Sequence, residues 1–417
     1  MSSANIASPV MDDSVVSRLP AADGDFGFAS RHRDPSRSMV ERPRTAGAPS
    51  VVGESRDGFA ARSSVSENGD SPLIRAARAL GRNRAEIERS DAWPETSWRS
   101  LADQGALRWN IPVEYNGSAL PQRDLLEAYI ELASRCLTTT FVLSQRNSAC
   151  QKIVESSQAE VKERLLPPIA SGELLVTLGV SHLTTSRQHQ TRPAVTASPR
   201  GSGWVLDGSI PWVTAAPRAD LVVAGGTCAD GKQILVLLPT DARGVHVHSP
   251  QPMMGLNGSL TTSITLDGVE IPSRYVLAGP VDGVLRRGGG AGSWATSALA
   301  IGLAKHACRE MLVEAELRPD LIDYIGPLSD ECQSLERSLL VSAVPPAFPL
   351  DAARLRTEAN SLVTRATQAW FAACKGAAYL SDHPAAKAVQ QAMFFFVWSC
   401  PQPVLAAALR ELSAPRA

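Results

Sequence analysis

Trp212 and Thr214 stand two residues apart in the stretch Ser209-Ile210-Pro211-Trp212-Val213-Thr214. On a strand, residues two apart point to the same face. An indole and a hydroxyl presented together suit a planar conjugated ring with an accepting edge: one gives an apolar wall, the other a donor. The same spacing also describes two ordinary strand residues packing a core, and spacing alone does not separate these readings. More hydroxyls lie upstream in Ser181-His182-Leu183-Thr184-Thr185-Ser186, after the strand-like run from Leu174. His182, at a strand end, reads as a hydrogen-bonded turn residue. His246 and His248 share a strand face, but no third ligand is near them in sequence, so no metal site is expected. Asp382 reads as the cap of a helix that has Pro384 in its first turn. There is no G-x-G-x-x-G and no G-K-[ST] in the chain, which gives no support to a Rossmann or P-loop nucleotide site.

The elements that position these residues follow from period and punctuation. Residues 1–70 are rich in Ser, Ala, Arg, Asp, Gly and Pro without a sustained apolar period. Such a segment cannot offset its ordering entropy and reads as a disordered extension. Ser71-Pro72 predicts a helix start, with Leu73, Ala76, Ala77, Leu80 and Ile87 on one face. Gly105 can end a helix. Asn116 stands where a tight turn needs a left-handed residue, in Ile111-Pro112-Val113-Glu114-Tyr115-Asn116-Gly117. Another amphipathic helix carries Leu126, Tyr129, Ile130, Ala133 and Leu137, and a shorter one is expected to stop near Leu166 at Pro167-Pro168. Residues 71–172 thus read as an α-helical domain.

From 173 to 282 the period is that of strands. Trp204/Leu206, Leu221/Val223, Ile234/Val236, Val245/Val247 and Ile264/Leu266 alternate, and the Asp-Gly pairs 207–208, 230–231 and 267–268 predict tight hairpins. A small barrel or sandwich is expected. After Gly288-Gly289-Gly290, residues 283–417 return to helix. Helices are expected over 294–317, over 351–380 behind a break at Pro345, Pro346 and Pro349, over 385–397 and over 404–412, forming a four-helix bundle. The expected class is α+β, multidomain.

Composition narrows the partners. Charged residues are 20% of the chain and the net charge is −1, which argues for neither nucleic acid nor an anionic membrane. The seven cysteines show no C-x-x-C and read as reduced thiols in a cytoplasmic protein. The apolar run Ala392–Trp398 is too short to span a bilayer.

Read in order, Gly203-Trp204-Val205-Leu206-Asp207-Gly208, Trp212-Val213-Thr214 and Ala219-Asp220 are followed by Met254-Gly255-Leu256-Asn257-Gly258-Ser259-Leu260-Thr261-Thr262 and Val269-Glu270-Ile271-Pro272. This series resembles the middle β-domain of the acyl-CoA dehydrogenase family of flavoproteins, and a weaker likeness runs from about Ser71 to Ser413. The resemblance implies a flavin cofactor, FAD or alternatively FMN, a small-molecule substrate such as an acyl-CoA, and a homo-oligomer. It implies that Trp212 covers the flavin ring, that Thr214 donates near its N5, and that Gly179, Val180 and Ser181 form a second contact. His182 stands where the family has glutamate, and the family's Gly-Ser-Asp ending is missing. The family's catalytic base is a glutamate at one of two places. Here neither 283–309 nor 383–408 contains an Asp or Glu. Asp382 and His383 are the nearest replacements, with His383 the candidate catalytic residue. Three readings follow: an acyl-CoA dehydrogenase-like oxidoreductase, a flavin-dependent monooxygenase of the same fold, or a related scaffold without activity.

Overall fold

The computed structural model describes residues 71–184, 192–285, 291–344 and 352–414, all within one compact unit, Glu67–Ala417. The N-terminal extension, Thr185, Ser186, the glycine run at 288–290 and the prolines at 345, 346 and 349 lie outside the described residues.

Five helices come first: α1 (Pro72–Ser90), α2 (Glu95–Asp103), α3 (Gln122–Ala133), α4 (Leu137–Glu155) and α5 (Ala159–Ser171). Ser71 caps α1 by accepting from the Ile74 amide at 3.3 Å. Ala76, Ala77, Leu80 and Ile87 are buried on its inner face. Gly105 and Asn116 are both left-handed, at φ 74° and 63°. Gly117 has no room for a side chain, since a Cβ would sit 1.8 Å from the Ile111 carbonyl oxygen.

One expectation fails here. α5 does not stop at Leu166 but runs through Pro167 and Pro168 to a left-handed Gly172. The prolines forfeit two helical N–H groups, yet both are only half-buried. The Pro168 carbonyl keeps partners in the Ser171 hydroxyl and the Leu174 amide.

The middle of the chain forms an eight-stranded sheet. Its strands are β1 (Val176–Gly179), β2 (Val195–Arg200), β3 (Gly203–Val213), β4 (Leu221–Thr227), β5 (Gln233–Pro239), β6 (Val245–Val247), β7 (Thr262–Ile271) and β8 (Val276–Val281), with the four-residue helix α6 (Ser181–Thr184) after β1. The order is β6-β7-β3-β2-β4-β5-β8, and β1 pairs with β4 in parallel. Of the three Asp-Gly pairs only Asp230-Gly231 turns a hairpin, between β4 and β5. Asp207-Gly208 and Asp267-Gly268 lie inside the paired strands β3 and β7, at a register shift. There the Gly268 amide donates to the Asp207 carboxylate at 2.7 Å. Asp-Gly therefore marks a bulge as readily as a turn, because both need the same left-handed glycine.

The last part is helical: α7 (Ala291–Ala315), α8 (Ile322–Ser342), α9 (Ala352–Ala373), α10 (Pro384–Val397) and α11 (Gln402–Ser413). The bundle consists of α7, α8, α9 and α10, with α11 laid on α9. α8 was not expected from the sequence. Pro327 is its sixth residue and obscures the helical signal there. α9 also ends earlier than expected, at Ala373, and Lys375–Tyr379 continues as a 3₁₀ turn. Leu126 and Leu132 of the first helices, with Leu107 of the turn between α2 and α3, share one apolar core with Leu299, Leu303, Leu339 and Leu362 of the last. The chain is thus α+β, with helices flanking a central sheet on both sides in sequence.

Candidate functional site

The site begins at the end of β3. Trp212 takes φ 59°, a left-handed conformation that a bulky residue adopts only where surrounding structure enforces it. The cause is an extra residue in β3: Ile210 pairs with Ile264 and Val213 with Thr262, so three steps oppose two. The bulge breaks strict alternation. Trp212 is 57% exposed, whereas Thr214 is fully buried. The two side chains therefore do not share one surface, contrary to the strand geometry expected from their spacing.

Thr214 instead anchors a buried layer of hydroxyls beneath the bulge. The Thr177 hydroxyl donates to the Thr214 carbonyl at 2.7 Å, fixing β1 to this corner. The Thr261 hydroxyl donates to Thr214 Oγ1 at 3.3 Å and lies 2.8 Å from Ser259 Oγ. The Ala215 amide donates to the Ser259 carbonyl at 2.9 Å. Ser259 and Thr261 belong to the later motif of the sequence, and the fold brings that motif against the earlier one.

The second contact segment lies alongside. Ser181 donates to the Pro211 carbonyl at 2.8 Å, so the β1–α6 junction is tied to the residue before Trp212. Gly179 is buried, and a Cβ there would lie 2.9 Å from Val222 Cγ1, which makes glycine a packing requirement. Val180 is half-buried beside it. His182 turns inward. Its Nε2 donates to the Gly225 carbonyl at 2.9 Å, Nδ1 is buried without a partner among the described residues, and burial pulls its pKa down. It is a neutral structural histidine. Asp220 accepts from the Leu175 amide at 2.8 Å and so holds the start of β1 beside β4.

Gly179, Val180, Ser181, Trp212 and Thr214 therefore gather at one corner of the sheet. His383 does not join them through any contact among the described residues. It is the N-cap of α10, its Nδ1 accepting from the Ala385 amide at 3.2 Å, a role expected of Asp382. Asp382 is exposed. Downstream, the C-terminal end of α10 and its cap residue present rings to α4: Phe394 and Trp398 lie 4.8 and 4.9 Å from Phe141, centroid to centroid. His248 is bonded to the Thr265 hydroxyl at 2.7 Å. Ser259 and Thr261 stand in the sequence only as members of the later motif, and Thr177 carries no motif signal there. A hydroxyl carries no signal of its partner, which here lies up to 47 positions away.

Residues 75–173 match the family model of the acyl-CoA dehydrogenase N-terminal domain. The chain is 25% identical over 335 residues to a probable acyl-CoA dehydrogenase, YngJ, of Bacillus subtilis, covering 74% of this chain and 87% of that one. Further curated relatives match over shorter stretches, 48% to 60% of their own lengths. Butyryl-CoA dehydrogenase from Megasphaera elsdenii superposes with a TM-score of 0.70 at 18% identity, covering 82% of this chain and 97% of that one. Dibenzothiophene monooxygenase TdsC from Paenibacillus sp. A11-2 gives 0.69 at 17% identity, covering 81% and 94%, and has also been solved with FMN and indole. Both structural likenesses show a common fold. The matched N-terminal domain, the curated relatives and this fold together support an acyl-CoA dehydrogenase-like family for the chain.

Proposed function

We propose that this chain is a flavin-dependent oxidoreductase that acts on an acyl thioester or a similar small organic molecule. The observation that carries the reading is Trp212, a large indole held 57% exposed on a strained bulge above a layer of buried hydroxyls. An exposed indole in an enforced conformation suits a wall for a planar ring, and the residues present fit a flavin in that respect. When bound, a flavin supplies hydride acceptance. Trp212 would cover the ring, Ser181 would hold the neighbouring loop, and Thr214 with Thr261 would set the bulge from below. FAD is the cofactor proposed, with FMN the alternative that TdsC illustrates.

A second reading, a monooxygenase of the same fold, is favoured by the lack of any carboxylate in 283–309 and 383–408. On that reading His383, with Nδ1 committed to its cap, has Nε2 left for proton transfer. Apolar side chains exposed on the C-terminal helices, among them Val397, Leu409 and Leu412, support self-association into a homo-oligomer.

The protein supplied with FAD or FMN should retain a flavin absorption band after gel filtration. Mixed anaerobically with saturated acyl-CoA esters, it should bleach slowly, since a placed general base contributes about 10²–10⁴-fold. Rapid oxygen consumption by reduced enzyme, altered in His383→Ala, would select the monooxygenase. Failure to retain either flavin would overturn the proposal.

A further inference from the structure

A cavity of about 390 Å³ opens between α1, the turn after α3, and α7, and shares no residue with the hydroxyl corner. Arg78, Arg82 and Arg84 of α1 line it with Arg135, His306 and Arg309. The carboxylates around it are too few. Glu88 accepts from Arg84 at 2.7 Å. Glu131 is divided between Arg135 at 3.3 Å and Lys305 at 3.5 Å. Glu310 lies 3.5 Å from His306 Nδ1. Arg78 and Arg82 are exposed and make no ion pair with the described residues.

The inner wall is already oriented. Arg309 donates to the Ser134 hydroxyl at 3.0 Å, and that hydroxyl donates to the Glu131 carbonyl at 2.7 Å. The Arg84 guanidinium abuts His306 Nε2, so this nitrogen accepts and the ring proton sits on Nδ1. Burial first, then Arg84, Arg309 and Arg135, holds the His306 pKa far below its ordinary value. Burial and then Arg135 also lower that of Arg309. The like charges therefore repel one another across the cavity, and an anion placed there would offset that repulsion.

We propose that this cavity binds a phosphate-bearing small molecule, with its pyrophosphate or polyphosphate group held by Arg78, Arg82 and Arg309. Guanidinium forks pair bidentately with phosphate oxygens. The volume falls within the range of roughly 300–1,000 Å³ common for small-ligand sites. This site is separate from the flavin reading and does not depend on it.

Calorimetric titration at fixed ionic strength tests it, with inorganic pyrophosphate, ADP and sulfate as probes. Pyrophosphate should bind saturably and at least about tenfold more tightly than sulfate, a difference of about 1.4 kcal/mol. The R78Q/R82Q double variant should lose about tenfold in pyrophosphate affinity with an unchanged melting temperature. ADP tighter than pyrophosphate would identify a nucleotide; equal affinities would identify the phosphate group as the whole determinant. Pyrophosphate no tighter than sulfate, or unweakened in R78Q/R82Q, overturns the proposal. So does loss of pyrophosphate binding in Trp212→Ala, which would move the site to the hydroxyl corner.

Discussion

On the proposed reading, Trp212 and Thr214 serve one site through different physics. Trp212 is exposed, so Trp212→Ala would remove the proposed flavin wall without opening a core cavity. It should weaken flavin binding by about tenfold or more while thermal stability stays within about 0.5 kcal/mol. Flavin titration and a melting curve measure both. Thr214→Val is expected to act on the fold as well. It removes the acceptor of the Thr261 hydroxyl inside a buried layer, and an unsatisfied buried donor costs about 1–3 kcal/mol. A Thr214→Val protein as stable as the parent would show that Thr261 finds another partner.

At the scale of elements, the Ile111–Gly117 turn makes a sharp contrast between adjacent positions. Gly117→Ala should destabilise by more than about 2 kcal/mol, because the added carbon meets a backbone oxygen that cannot rotate away. Asn116→Gly should be near neutral, within about 1 kcal/mol, since Asn116 already occupies a left-handed conformation that glycine adopts freely. Denaturant unfolding of both variants checks the pair. The same contrast shows what a sequence discloses. Asn116, Gly105 and the Ser71 cap are local signals read by local chemistry, and each appears where its residue type demands. α8 and the continuation of α5 are overrides: burial of Ile325, Leu335 and Leu339 in one case, and Leu166 and Ile169 in the other, outweighs the penalty of an internal proline. The Trp212 bulge was not legible either. It depends on how β3 registers against β7, some fifty residues on, and no local spacing encodes that count.

At the scale of the whole molecule, two buried histidines set a pH dependence. His182 and His306 both have folded pKa values below the ordinary histidine value, from burial in the first place. Well above pH 6.5, near pH 8, both are neutral in the folded and unfolded chain, and their protonation adds no penalty. As pH falls through about 6.5 the unfolded chain takes up protons that the fold refuses, so stability falls, levelling only below the folded values. Denaturant midpoints measured between pH 8 and 5 should decline on the acid side, and less steeply in His306→Gln. A midpoint that rises on acidification would show that another group governs this range.

The parallel pairing of β1 with β4 has a consequence for the order of assembly. The β2–β3 hairpin joins Arg200 to Gly203 across two residues, and β4–β5 joins Thr227 to Gln233, so both can zip from their turns. β1 has no such route. Val176 meets Leu221 only after the chain between them has been laid down, and closing so long a loop is entropically slow. The corner that carries Ser181 and Trp212 should therefore be among the last parts to form. Val176→Ala is expected to speed unfolding with little change in refolding, whereas Leu206→Ala, in the early hairpin, should slow refolding. The chemistry of this protein would then be gated in its first moments by the knitting of one short strand.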